Sequence, residues 1–418
     1  MSRLLLTAPP FPGHFYSLIA FGQRLRASGH EVRFATTPGG VAVLQRLDFP
    51  VDVLLAHDPT VLERIGDTEV PVRNNPVRLL GQLRQNFAVM PQATAELEQV
   101  VARFAPDAVI ADFIAPVAGW VAQRAGVGWI TTIATPFAIE NRRGTPSYCG
   151  GWSEPTRPWH RVRDAVGRAN VHGFKTGIDM AFRRQLNALG TRVYREDGTE
   201  AVYSPQAILG LGVAELEFDR DWPASFRFAG PVTESPEKSP VPEFLRHDRR
   251  RVLVTLGTHL PWAKRSLVEQ VRALADRCPD MEFVVTMGRP GRPDHEQVSP
   301  RLWVSSYLPY DDVLDRFTAV IHHGGAGILY STLRAGRPAL VFPQDYDQPD
   351  FAARLVARGA GLLIRDLDSA ATATALRRVI EDPTESVLSG LARLQKAVLA
   401  SDPYAAMADA VARVTTSG

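Results

Sequence analysis

Cysteine is scarce: the 418 residues hold two, Cys149 and Cys278, far apart in the chain. No disulfide framework can be built from such a pair, and a reducing cytoplasm is the simple expectation. Lysine is nearly absent, with 4 residues against 43 arginines, a bias read as GC-rich coding rather than chemistry. Charge of one sign is missing too. Net charge is +2, so the overall field argues for neither a nucleic acid nor an acidic substrate. Long apolar runs do not occur. Nothing approaches the roughly eighteen uncharged apolar residues of a membrane span. The opening "MSRLLLTAPPFPGHF" breaks into prolines before a signal-peptide core could form. Three motifs are also lacking. There is no G-x-G-x-x-G turn, which argues against a nicotinamide site, and no P-loop lysine, which argues against ATP hydrolysis. No Asp-x-Asp pair is seen placed for Mg²⁺.

What is present is an ordinary globular composition, 45% hydrophobic and 22% charged, at a length that suits two domains near 200 residues each. Strand-like and helix-like segments alternate: strands at 3–8, 31–36, 107–113 and 128–133, helices at 14–28 and 115–125. Residues 142–195 interrupt this pattern with eleven Arg or Lys against three acids. A proline-rich stretch, "PVTESPEKSPVPEF", reads as a linker. The alternation then resumes, with strands at 251–257, 282–288, 302–307, 318–323 and 338–343. Helices fall at 264–277, 326–336 and 349–358, and a helical tail covers roughly 368–415. These segments predict an α/β protein of two doubly wound, Rossmann-like domains facing across a cleft. The expected boundaries are 1–230 for the N-terminal domain, 231–247 for the linker and 248–385 for the C-terminal domain. Helices over 386–418 are expected to pack back toward the first domain. Ligands in such folds bind at the carboxyl ends of the strands.

The stretch "IHHGGAG" (321–327) puts two histidines where a strand hands over to a helix. Small residues there expose backbone N–H groups at a helix N-terminus, a setting that attracts phosphate. An imidazole adds one more donor. The plainer reading is a tight turn with one packed histidine. Asp347-Gln348, in "FPQDYDQPDFAARL", could hold the vicinal hydroxyls of a sugar, or Asp347 could cap the helix that follows. Thr258 in "VTLGT" could reach a phosphate or close an ST-turn. Tyr307 in "SSYLPY" offers a flat face to a nucleobase, or is a surface tyrosine. In the first domain, His14 follows "PPFPG" and Asp112 ends "VIAD". Together they make a base with a carboxylate behind it; separately they are a packed histidine and a strand-end acid.

Taken in order, these residues resemble the GT-B nucleotide-sugar glycosyltransferases of family 1, more closely the bacterial antibiotic and macrolide-type branch. The likeness spans nearly the whole chain through "GHFYSLIAFGQRLRASGHEVRFAT", "VTLGT", "HHGGAGILYSTLRAGRPALVFPQDYDQPDFAARL" and the helical tail. The resemblance implies an inverting transfer with His14 as base and Asp112 as its partner. Thr258, His323, Gly325, Ala326 and Gly327 would hold the donor's diphosphate, with Gly13 a further donor-binding residue and His322 a secondary contact. Tyr307 would stack on the base, the Leu308 backbone would read its edge, and Asp347 and Gln348 would hold the sugar. The donor would be a dTDP- or UDP-sugar, with no metal and no further cofactor. Ile328 replaces the usual hydroxyl residue. Ser331 replaces the glutamate common in UDP-sugar users, which tilts the expectation toward dTDP. The start reads "GHFYS" where relatives have "GHxxP".

The acceptor is expected to be a small, largely apolar molecule such as a natural-product aglycone. Phe87, Met90, Phe137, Trp152 and Trp159 either line its pocket or form core. The basic run at 142–195 is a solvated helix face, or a contact with an acidic acceptor or with a membrane surface carrying a lipid acceptor. A monomer or homodimer with no nucleic-acid partner is expected. Two other functions fit the frame: a nucleotide-sugar 2-epimerase, and a nucleotide-sugar-binding partner protein without catalysis.

Overall fold

The computed structural model describes residues 1–416 except 74, 239, 247–248 and 290–293. Residues 239 and 247 of the expected linker, and 417–418 of the expected tail, lie outside the described residues.

The first seven strands are β1 (Arg3–Thr7), β2 (Glu31–Thr36), β3 (Val51–Val53), β4 (Ala108–Asp112), β5 (Gly128–Ile133), β6 (Ala207–Gly210) and β7 (Phe226–Phe228). They form one parallel sheet in the order β3-β2-β1-β4-β5-β6-β7. The second sheet holds β8 (Arg251–Thr255), β9 (Glu282–Thr286), β10 (His295–Ser299), β11 (Leu302–Ser305), β12 (Ala319–His322), β13 (Ala339–Val341) and β14 (Gly361–Leu363). Its order is β10-β11-β9-β8-β12-β13-β14, parallel except for the edge strand β10. The central strands read as unbroken apolar runs because helices cover both faces. Along β1, Leu4 and Leu6 enter one core while Leu5 enters the other. Along β8, Val252 and Val254 face one layer and Leu253 the opposite one.

Each sheet reverses direction of growth beside its first strand. β1 lies between β2 and β4, and β8 between β9 and β12. At such a point neighbouring strands send their helices to opposite faces, which opens a crevice at the carboxyl ends. The chain leaving β1 enters a helix whose first turn carries His14 beside Asp112 on β4. The loop carrying Thr258 leaves β8 next to His322 on β12.

The tail divides into three helices, Ala370–Glu381, Glu385–Ala400 and Pro403–Thr416. Leu391, Leu394 and Val398 of the middle one pack with Leu329 and Leu333 of the second domain and with Val213 and Leu216 of the first. Met407, Ala410, Val411 and Val414 of the last sit in the same core as Leu4, Leu6 and Ile110. Among the described residues no helix is long and apolar enough to cross a membrane.

The two halves are tied directly. The helix Gln348–Ala357 presents Asp350 and Arg354, four residues apart and on one face, to the first half. Arg354 Nε donates to Glu217 at 2.7 Å, and its guanidinium lies 4.0 Å from the Phe137 ring centroid. Asp350 accepts the backbone N–H groups of Gly150 and Gly151, each at 3.1 Å.

Candidate active site

Pro12 starts the helix Pro12–Ala27, and the N-cap Phe11 offers no side-chain oxygen to the first turn. His14 therefore stands at an open helix start. Its Nδ1 lies 3.1 and 3.2 Å from the two carboxylate oxygens of Asp112. Asp112 is 1% exposed, and one of its oxygens also accepts the N–H of Ile114 at 3.0 Å. A carboxylate so placed holds the proton on Nδ1 and leaves Nε2 as an acceptor. The imidazole is 23% exposed. Burial alone would lower its pKa. The charge and hydrogen bond of Asp112, with Asp347 from the opposite lobe, outweigh burial and set it above the ordinary histidine value.

In the second lobe, His322 ends β12 fully buried, and its Nδ1 accepts the N–H of Gly324 at 3.0 Å. That bond braces the turn and fixes the proton on Nε2. His323 follows, 9% exposed, with the Thr255 backbone acting on its ring and Nε2 toward the glycine turn, where a Cβ on Gly325 would stand 2.4 Å from it. Burial drives both imidazoles to a pKa of about 3. They are therefore neutral hydrogen-bonding groups at working pH. Gly324 has φ +93°, and a Cβ there would stand 3.0 Å from the carbonyl of Gln348, so the turn and the Asp347-Gln348 pair sit back to back. Gly325 caps the helix Ala326–Arg334 without a side-chain bond, and a Cβ on Gly327 would meet nothing within 4 Å. A Cβ on Gly13 would also point into open space.

The Asp345-Tyr346-Asp347 spacing is split between two partners. Asp345 accepts the N–H groups of Val72 (2.5 Å) and Arg73 (2.7 Å) across the cleft. Asp347 accepts the hydroxyl of Thr135 at 2.6 Å, just beyond β5. Asp347 occupies the N-cap position of the helix Gln348–Ala357 but makes no side-chain cap bond, so the capping reading fails. Burial raises its pKa, while Thr135 and His14 pull the other way. Gln348 commits its side-chain oxygen to the N–H groups of Gln344 and Asp345, which shapes the loop and leaves its amide nitrogen to offer. Among the described residues no group of three or more His, Cys, Asp or Glu side chains is placed to hold a metal ion.

Residues 270–411 match the family described as Erythromycin biosynthesis protein CIII-like, C-terminal domain. The chain is 26% identical to 4'-demethylrebeccamycin synthase of Lentzea aerocolonigenes over 98% of both chains. It is 26% identical to zeaxanthin glucosyltransferase of Pseudescherichia vulneris over 86% of both. The solved structure of glycosyltransferase VinC in complex with dTDP shares the fold, with a TM-score of 0.66, 20% identity and 100% coverage of each chain. The chain has the GT-B fold of these solved structures, and it is similar over nearly its whole length to glycosyltransferases of antibiotic biosynthesis.

The remaining residues singled out in the sequence fall in several settings within this fold. Thr258 is half-buried in the loop after β8, and Tyr307 is half-buried after β11. Leu308 is fully buried among Leu253, Val320 and Ile328, so only its backbone can meet a ligand. The five acceptor candidates do not gather. Phe137 is fully buried against Phe351, and Phe87 stacks on Phe182 at 4.5 Å. Both serve the core. Met90 packs at the edge of the Phe87 cluster, Trp152 lies under Arg163, and Trp159 is 56% exposed on the helix Pro158–Ala181. Apolar side chains in an irregular segment read alike whether they fill a core or line a cavity. Sequence reasoning missed Phe113, whose ring lies 5.7 Å from the His14 ring, and Thr135. The signal for both was position: each stands just past the end of a parallel strand adjoining the switch point.

Proposed function

We propose that the enzyme transfers a sugar from a dTDP- or UDP-sugar to a hydroxyl of a small, largely apolar acceptor, with inversion at the anomeric carbon. One observation carries this reading: an imidazole braced on Nδ1 by buried Asp112, with Asp347 of the other lobe acting on it across the cleft. His14 takes the proton from the acceptor oxygen as that oxygen attacks opposite the diphosphate. The bond from the anomeric carbon to the diphosphate oxygen breaks, and the electron pair leaves with the diphosphate. The open helix start at Gly325–Gly327, His323 and Thr258 take up that charge. Asp347 and the Gln348 amide hold the sugar hydroxyls. The dTDP bound by VinC and the serine at position 331 favour dTDP. The names of the zeaxanthin and rebeccamycin relatives favour a small-molecule acceptor.

The test is acceptor-dependent nucleotide release. A panel of dTDP- and UDP-sugars is incubated with and without small hydroxylated acceptors, and the product anomer is assigned by NMR. Free nucleotide diphosphate should appear only with acceptor, beside a product of inverted configuration. Epimerised donor in the absence of acceptor identifies the 2-epimerase instead, and binding with neither product identifies a non-catalytic partner.

The pH profile adds a second check. Because Asp112 raises the His14 pKa, and His14 acts deprotonated, wild-type kcat/KM should rise with pH through a value above about 6.5. In Asp112→Asn the opposing charge is gone, so the rising limb should move to lower pH while the plateau falls. An unmoved limb would detach the pair from catalysis.

A further inference from the structure

A donor diphosphate brings negative charge, yet the two imidazoles nearest the glycine turn are neutral. Among the described residues, the second lobe holds a buried lysine that makes no ion pair. Lys264 closes the short turn Pro261–Lys264 that follows Thr258 and is 9% exposed. Its Nζ donates to the carbonyl of Met287 at 2.9 Å, just beyond β9. Among the described residues it makes no ion pair, so two of its three donors have no protein acceptor. Taking an ammonium out of water without a counter-charge is costly, and such a group is retained where an anion completes it.

The contacts around Lys264 lead to the glycine turn. Gly288, next to the carbonyl that holds Nζ, lies so close to the loop after β8 that a Cβ would stand 2.0 Å from the Gly257 oxygen and 3.0 Å from Thr258 Cα. Gly257 in turn abuts the His323 ring, where a Cβ would be 2.6 Å from Cε1. Lys264, Thr258 and His323 thus share one corner at the carboxyl ends of β9, β8 and β12. The Lys264 charge also acts on His323.

We propose that Lys264 is a donor-site cation: its free N–H groups bind the diphosphate and hold the charge that the leaving group gains when the anomeric bond breaks. This rests on the donor reading above. The neighbours facing Lys264 are Asp67 of the first lobe, which is bonded to His259 at 2.8 Å, and Arg289. Burial pushes the ammonium down to about 8, Asp67 holds it up, and Arg289 presses it lower. Above that pH the free protein loses the charge, while the terminal phosphate, with an ordinary second pKa of about 6, stays fully ionised.

Calorimetry with dTDP and thymidine, and with UDP and uridine, tests this. Lys264→Met should weaken the diphosphate by about tenfold to a hundredfold, as expected for a charged hydrogen bond, and leave the nucleoside unchanged. The wild type needs no variant for its own check: affinity for the diphosphate should fall between pH 7.5 and 9.5, and affinity for the nucleoside should not. Equal diphosphate affinity in Lys264→Met, a parallel loss of nucleoside, or a flat wild-type profile would each overturn the assignment. Pyrophosphate separates the two readings. Wild-type protein that binds pyrophosphate but neither nucleotide retires the nucleotide donor and keeps the Lys264 site. Protein that binds none of these retires both.

Discussion

His14→Ala should turn over about 10²- to 10⁴-fold more slowly than wild type, with nucleotide affinity little changed. The two halves of that expectation come from different lobes. The proton acceptor hangs from the first turn of Pro12–Ala27, whereas the glycine turn, Thr258 and Lys264 belong to the second sheet. Removing the imidazole also strips Asp112 of its side-chain partner. Of its hydrogen bonds the carboxylate keeps the one from the Ile114 N–H, and the loss should cost about 1–3 kcal/mol of stability. The measurements are steady-state turnover, calorimetric nucleotide affinity and thermal unfolding on one preparation. His14→Gln is the control, because its amide can still donate to Asp112 but cannot accept a proton near neutral pH. Turnover near the wild-type rate in either variant would remove His14 from the chemistry.

Arg354→Met should be the most destabilising single change, at about 3–5 kcal/mol, because it leaves Glu217 charged, buried and without its partner. Arg354 is fully buried, so solvent cannot take over its role. Besides Glu217 it donates to the Asp350 carbonyl at 3.0 Å, and it lies over the Phe137 and Phe218 rings at 4.0 and 4.8 Å. The loss therefore loosens the seam between the halves along with one ion pair. Adding Glu217→Leu to Arg354→Met should return most of the stability, since a buried pair replaced by apolar groups of similar volume is often neutral. Denaturant unfolding of the three proteins reads this directly. A single variant no less stable than the double one would contradict it.

The architecture was legible because central parallel strands announce themselves as short apolar runs with helical patterns between them. β1, β4, β8 and β12 all do so. Their ends came out one to two residues shorter than the sequence pattern, as in β9 and β11. The strands that left no trace are β3, β6, β7, β10 and β14. Four span three or four residues, too few to display a period, and β10 is a polar antiparallel edge. His14 and Asp112 could be paired in advance because adjacent parallel strands deliver their carboxyl ends side by side. Lys264 could not. Its burial depends on where the chain turns after β9, and one lysine among arginines carries no pattern. Asp345 was equally silent, since its partners are backbone amides 272 and 273 positions away.

The helix Pro403–Thr416 lies inside a core built otherwise from the first 230 residues, with Val414 placed where a Cβ on Gly128 would stand 2.4 Å from it. During synthesis the opening half therefore leaves the ribosome with one flank of its sheet uncovered. It stays so until nearly the whole polypeptide has been made. The interval is a property of the chain's order, and it makes the nascent protein a natural client for chaperones that shield greasy surface.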